Sequence, residues 1–210
     1  LGIPAEPLFR SSINQMSNQK MKNSKLITHN HNYEKNTEKY DICSDSEHSE
    51  TEETSSKQII LYKKLLKEIA ETLTSIISQK SELKKNVHVK TPFDHMRIPQ
   101  ISIYDYLLRI QKYSDVENNT LIIALIYIDR ICKKKGITLN KYNIYRILFT
   151  AILVSIKYNE DHIYDNVYYS KIAGLPVKEI NYLERKFLEI INYDLFVSEE
   201  LFQKYYEYLN

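Results

Sequence analysis

The chain has 210 residues, 43% hydrophobic and 27% charged, with 29 Lys and Arg against 27 Asp and Glu for a formal charge of +2. Its 3 Gly and 5 Pro are too few for the tight turns of an all-β protein or for a glycine-rich phosphate cradle. Two cysteines, Cys43 and Cys132, make neither a zinc ribbon nor a disulfide framework and read as reduced thiols inside the cell, in cytoplasm or nucleus. The near-neutral charge calls for neither a nucleic acid nor an anionic membrane.

Residues 1–56 are expected to form a disordered tail. The opening LGIPAEPLFR starts without Met and has no signal-peptide apolar stretch, so it carries no weight in the fold. Beyond it, Ile13, Leu26 and Ile27 are scattered with no helical or strand period, and such a segment cannot offset its ordering entropy by burial. The run DICSDSEHSETEETSS is acidic and hydroxyl-rich, which marks Ser44, Ser46 and Ser49 as candidate sites for acid-directed kinases, although a solvated tail accounts for the same composition. His29 and His31 have no third ligand nearby, so no metal site is expected.

Residues 57–100 read as a helix and a linker. Ile59, Tyr62, Leu66, Ile69, Leu73 and Ile76 recur at spacings of three and four, an amphipathic helix too short in heptads for a coiled coil and better suited to docking on the domain C-terminal to it. In NVHVKTPFDHMRIPQ, Pro92 and Pro99 push their predecessors out of the helical region, so this stretch is expected to lie extended over the surface.

Residues 101–210 read as helices throughout, and the class is all-α. Ser102 is placed to cap a helix from Ile103 to about Tyr113. A second starts at Glu117 or Asn118 and runs to Gly136, and Asn140 caps a third through KYNIYRILFTAILVSIKYNE. Asp165 caps a short fourth that ends at Gly174, and Pro176 opens a fifth at its first helical position. Glu199 to Leu209 forms a last amphipathic helix. The second and third are apolar nearly all round, which places them at the centre with the one-sided helices as a shell.

No Ser, Cys or carboxylate is placed by local sequence to form a nucleophile–base pair with any of the six histidines, so no catalytic residue and no cofactor is expected. The informative residues are charges within apolar faces. Asp129, in ALIYID, needs a cation if buried, and Arg109 one helix away is the candidate; otherwise Asp129 reaches solvent at the helix edge. Lys157 closes the apolar third helix on the row of Leu153 and Val154, where the helix dipole alone would favour a cation. Glu184 lies on the row of Ile180 and Leu188, although Lys178, Arg185 and Lys186 already supply a polar side. A carboxylate and an ammonium on facing helix rims also suit a docking patch for a partner.

The segments IPQISIYDYLLRIQKYS, ENNTLIIALIYIDRI, GITLNKYNIYRILFTAILVSIKYNED and YYSKIAGLPVKEINYLERKFLEIINYDLFVS resemble, in order and spacing, the cyclin box of P-type cyclins. The resemblance spans roughly Phe93 to Leu209. It implies a single five-helix cyclin box, here with an added N-terminal and C-terminal helix, and a regulatory subunit that is not itself an enzyme. Its partner would be a cyclin-dependent serine/threonine kinase, activated by holding the kinase C-helix in place, with kinase substrates or inhibitors as further partners. By that resemblance Arg109 and Asp129 form a structural salt bridge inside the box. Lys157 and Glu184 hold the kinase C-helix segment, while Tyr158, Leu188 and Leu195 line an apolar pocket for one of its side chains. The first helix lacks the Met-Arg-Ala-Ile-Leu start that forms the substrate-docking groove of mitotic cyclins. Two alternatives keep the fold and change the role: a transcription adaptor, which would need paired boxes, a zinc ribbon and a basic face, and a scaffold that binds no kinase.

Overall fold

A computed structural model describes residues 47–83, 90–134 and 137–209. Among these, seven helices and no strand are present: α1 (Glu47–Leu83), α2 (Ile103–Ser114), α3 (Asn118–Lys133), α4 (Ile144–Asn159), α5 (Asn166–Ala173), α6 (Val177–Ile191) and α7 (Glu199–Leu209). The candidate phosphosites Ser44 and Ser46, and His29 and His31, lie outside the described residues, as does Gly136. Ser49 falls within α1, where side chains are described only from Ile59 onward.

The periodicities translate directly into burial. In α1, Leu66, Ile69, Leu73 and Ile76 are buried, while Ile59 at the start of the same row is exposed because the helix has there passed the edge of the bundle. α1 lies antiparallel to α2: the Tyr62 hydroxyl donates to the Val116 carbonyl (2.7 Å) just beyond the end of α2, and Thr74 and Ser78 stand by Ser102 and Ile103 at its start. The helix docks on the domain, as its short heptad pattern implies. It begins earlier than expected, at Glu47, so the latter half of the acidic run is helical. Carboxylates in the first turns of a helix interact favourably with its dipole, which suits this run to a helix start.

α4 is central. Every residue from Ile147 to Ile156 is buried, and α3 and α6 pack against it. α3 is buried from Thr120 to Asp129 except at Ile123 and is clasped by α4, α6 and α7. On the far side, α2 packs on α1 and α5. Local signals terminate most helices where expected. Ser102 Oγ accepts from the Asp105 amide (3.0 Å), Asp165 Oδ1 accepts from the Tyr168 amide (2.8 Å), and Gly174 ends α5 in the left-handed region at φ 69°.

Two boundaries differ. Pro176 is the N-cap of α6, in extended conformation, not its first helical residue. Asn140 opens a turn before α4 instead of capping it: its side chain accepts from the Tyr142 amide (2.8 Å), and Asn143 holds the cap position. The linker from Lys90 is pinned to the helices. Phe93 is fully buried edge-on against Phe187 (6.1 Å, 86°), and Arg146 donates to the Asp94 carbonyl (2.6 Å) while pairing with Glu179.

Candidate functional site

Lys157 in the last turn of α4 and Glu184 in the middle of α6 form an ion pair, Nζ to Oε1 2.7 Å. Sequence placed both on apolar rows; the packing of α4 on α6 brings the two rows together. Their side chains are 30% and 17% exposed, so the pair is shielded without being removed from water. The second Glu184 oxygen accepts from Asn166 Nδ2 (2.9 Å), and the same amide donates to Asn181 Oδ1 (2.6 Å). Three helices are thus joined at one point, and the carboxylate is held with both oxygens engaged. The two charges satisfy one another in the isolated chain, where the sequence argument left each to water or to a partner.

The same two helices, α4 and α6, and the segment after α6 carry the expected aromatic and apolar side chains. Tyr158, next to Lys157, is 53% exposed, and Leu188 and Leu195 are half-buried against the core. Leu195 sits in a strap whose course is set by α3. At the end of α6, Asn192 and Tyr193 both adopt left-handed φ (57° and 54°), which turns the chain back, with the Tyr193 amide donating to the Leu188 carbonyl (2.9 Å). Arg130 then donates to the carbonyls of Asp194 (2.5 Å) and Phe196 (2.6 Å), and the Tyr127 hydroxyl to that of Leu195 (2.8 Å). Burial pushes the Tyr127 hydroxyl up to about 12, against the lowering effect of Asn159 and Arg130, so it stays a donor. Held this way, the strap turns Tyr193 and Phe196 outward, 63% and 72% exposed.

All five residues expected at a docking site therefore fall on α4, α6 and the strap after α6. Sequence reasoning missed Arg130, Asn166 and the outward Tyr193 and Phe196. The one available signal was Arg130 beside Asp129 in the enclosed α3, which needed acceptors that only the fold reveals.

The expected bridge between Arg109 and Asp129 is corrected. Asp129 is buried and accepts from the Tyr205 hydroxyl of α7 (3.0 Å), and Lys133 one turn along α3 approaches it to 2.8 Å. Burial and the Asp129 charge push the Tyr205 hydroxyl far above its ordinary value, which keeps it protonated as the donor. Arg109 is exposed and donates to the Lys171 carbonyl at the end of α5 (3.0 Å). The cause is the packing order: Asp129 faces α7, whereas the face of α2 that carries Arg109 turns to α5.

Among the described residues no three His, Cys, Asp or Glu side chains gather in a way that could hold a metal ion, and no helix is long and apolar enough to cross a membrane.

The sequence profile of the family described as Cyclin matches residues 18–195. Among curated proteins, Cyclin-U4-1 of Arabidopsis thaliana is 34% identical over 157 residues, 73% of this chain and 75% of the relative. PHO85 cyclin-7 of Saccharomyces cerevisiae is 33% identical over 147 residues, 63% of this chain and 52% of the relative. Cyclin-P4-1 of Oryza sativa subsp. japonica is 33% identical over 114 residues, 54% of each chain.

Proposed function

Because this chain belongs to the cyclin family and to its P-type group, we propose that it is the regulatory subunit of a cyclin-dependent serine/threonine kinase and that the kinase docks on the Lys157–Glu184 surface. One relative named as a PHO85 cyclin and one as a PHO85 cyclin-like protein support a cyclin-dependent kinase as the partner. The observation that carries the reading is the preformed, half-shielded ion pair, with exposed Tyr158 next to Lys157 and exposed Tyr193 and Phe196 on the strap that follows α6. Exposed aromatic side chains are enriched at interface hot spots, and a charge pair beside them adds specificity.

The chemistry belongs to the kinase. Its phosphoryl transfer requires the ion pair between the C-helix glutamate and the ATP-coordinating lysine. A subunit that binds only the arrangement with that helix turned in shifts the population toward it by its differential affinity. Lys157 contributes ammonium donors beyond the one given to Glu184 and offers them to helix-end or loop carbonyls of the partner. Tyr158, Leu188 and Leu195 receive an apolar side chain. The preformed pair lowers the cost of binding, since two long side chains are already ordered before the kinase arrives.

Lys157→Ala and Glu184→Ala test this. Both side chains reach water in part, so the fold should persist by circular dichroism, while calorimetric titration with the purified kinase should show binding weakened by roughly 2–5 kcal/mol. Variants that fold and bind as the parent does would place the kinase elsewhere and favour a kinase-independent scaffold. Variants that unfold would make the pair a core feature.

A further inference from the structure

A second surface, which shares α5 with the Asn166 contact to Glu184, has a different chemistry. Between α2 and α5 runs a groove of about 660 Å³ lined by Leu108, Arg109, Lys112, Tyr113, Tyr168 and Lys171, with Ile172 at its base. Three cations converge on it, and among the described residues none of the three is paired with a carboxylate. Elsewhere on the domain Arg130, Lys133, Arg146 and Lys157 each have an acidic partner, whereas Lys141, Lys178 and Lys204 have none among the described residues; the groove differs in gathering three such cations. Of the carboxylates nearby in sequence, Asp105 accepts from the Ser102 hydroxyl (2.6 Å) and Asp165 from the Tyr168 amide (2.8 Å), while Asp115, three residues after Lys112, acts on the Tyr62 hydroxyl of α1 and forms no ion pair with Lys112.

The groove is also braced. The Tyr168 hydroxyl donates across it to the Tyr113 carbonyl (2.6 Å), and Arg109 Nη2 donates to the Lys171 carbonyl (3.0 Å), which fixes the guanidinium at the wall and leaves its other N–H groups free to donate. Lys112 lies 5.4 Å from the centre of the Tyr113 ring. Lys112 and Lys171 each stand in the last turn of a helix, where the dipole favours a cation. The dipole accounts for each lysine singly; it does not account for the arginine between them or for the absence of a neutralising carboxylate among the described residues.

We propose that this groove binds a phosphorylated segment of a partner protein. A phosphoserine or phosphothreonine carries close to two negative charges and three acceptor oxygens, which matches one guanidinium and two ammonium groups better than a single carboxylate does. Leu108, Ile172 and the exposed Tyr113 ring take the apolar side chain of a neighbouring residue, so the ligand is a peptide and not a bare anion. The volume falls in the range of pockets that take small-molecule ligands. Binding itself is independent of the kinase; only its consequence, retention of an already phosphorylated substrate or regulator beside the kinase, rests on the function proposed above.

The test uses the full chain and three bead-bound libraries of short peptides, with a fixed central phosphoserine, serine or glutamate flanked by randomised residues. The phosphoserine beads should retain the protein about tenfold better than the serine beads, a preference lost in Arg109→Ala and in Lys171→Glu, whose side chains are exposed. Equal retention on phosphoserine and serine beads, or undiminished preference in both variants, overturns the proposal. Equal retention on phosphoserine and glutamate beads overturns the assignment to phosphate. Lys157→Ala should keep the peptide preference and lose the kinase, and the groove variants the reverse. That crossover separates a failure here from a failure of the kinase site. Groove variants that lose the kinase, with no peptide preference in the parent, would make the groove part of the kinase interface and sink the proposal.

Discussion

At the scale of single residues, the value of a charge in this protein depends on what shares its face. Asp129 is buried, yet its Lys133 partner is about one-third exposed and can return to water if the carboxylate is removed. Asp129→Ala removes the carboxylate to which the buried Tyr205 hydroxyl donates, and the expected loss is that of a buried hydrogen bond, about 1–3 kcal/mol, and not the larger cost of an orphaned buried cation. Arg109→Ala should leave stability within about 0.5 kcal/mol of the parent, because its side chain is exposed. Urea unfolding of both variants checks the pair. Equal, large losses would restore the bridge between Arg109 and Asp129.

At the scale of elements, α1 is a helix with two unlike halves. From Leu65 to Ile76 it buries a full apolar face on the domain, whereas Ile59, Ile60 and Leu61 are each more than half exposed. Leu66→Ala and Leu73→Ala should each destabilise by about 2–5 kcal/mol, while Ile60→Ala should change stability by no more than about 0.5 kcal/mol. Removing residues 1–58 should leave a soluble, cooperatively unfolding domain, and extending the deletion through Ile76 should not. Chemical unfolding of the two truncations decides it: if the shorter deletion is the damaging one, the tail contributes packing. At the end of α5, Gly174→Ala would place a Cβ in a left-handed conformation (φ 69°), in ordinary van der Waals contact with Arg109 Nη2 at 3.8 Å. Its cost should be only the conformational strain, about 1 kcal/mol, read as a small shift in unfolding midpoint.

At the scale of the whole molecule, tyrosine takes on a structural task, with 18 Tyr and no Trp in the chain. Hydroxyls from Tyr62, Tyr127, Tyr168 and Tyr205 each join one element to another. Burial holds Tyr62, Tyr106, Tyr127 and Tyr205 above the ordinary phenol value of 10.0. The folded state then retains protons that the unfolded chain releases once pH passes that value. Stability is thus fully present below pH about 10 and falls as pH rises toward the folded values. Tyr205→Phe should flatten that alkaline decline. Unfolding measured between neutral and strongly alkaline pH checks the sign, and a parent protein whose stability does not fall above the ordinary tyrosine range would contradict it.

Sequence alone was sufficient for whatever depends on a residue and its near neighbours along the chain. The caps at Ser102 and Asp165, the left-handed stop at Gly174, the buried row of α1 and the enclosure of α3 and α4 all follow from spacing, side-chain hydrogen bonding and backbone sterics within a turn or two. The rows carrying Lys157 and Glu184 were legible too, but not that the two charges meet at 2.7 Å, since that depends on how α4 and α6 cross. Tertiary structure also decided that Asp129 faces the Tyr205 hydroxyl of α7, why Arg130 grips the strap that turns Phe196 outward, and that Arg109, Lys112 and Lys171 converge on one groove. Each of these is a contact between distant segments. Helical periodicity determines which face a residue occupies, and only the packing of the helices determines what that face meets.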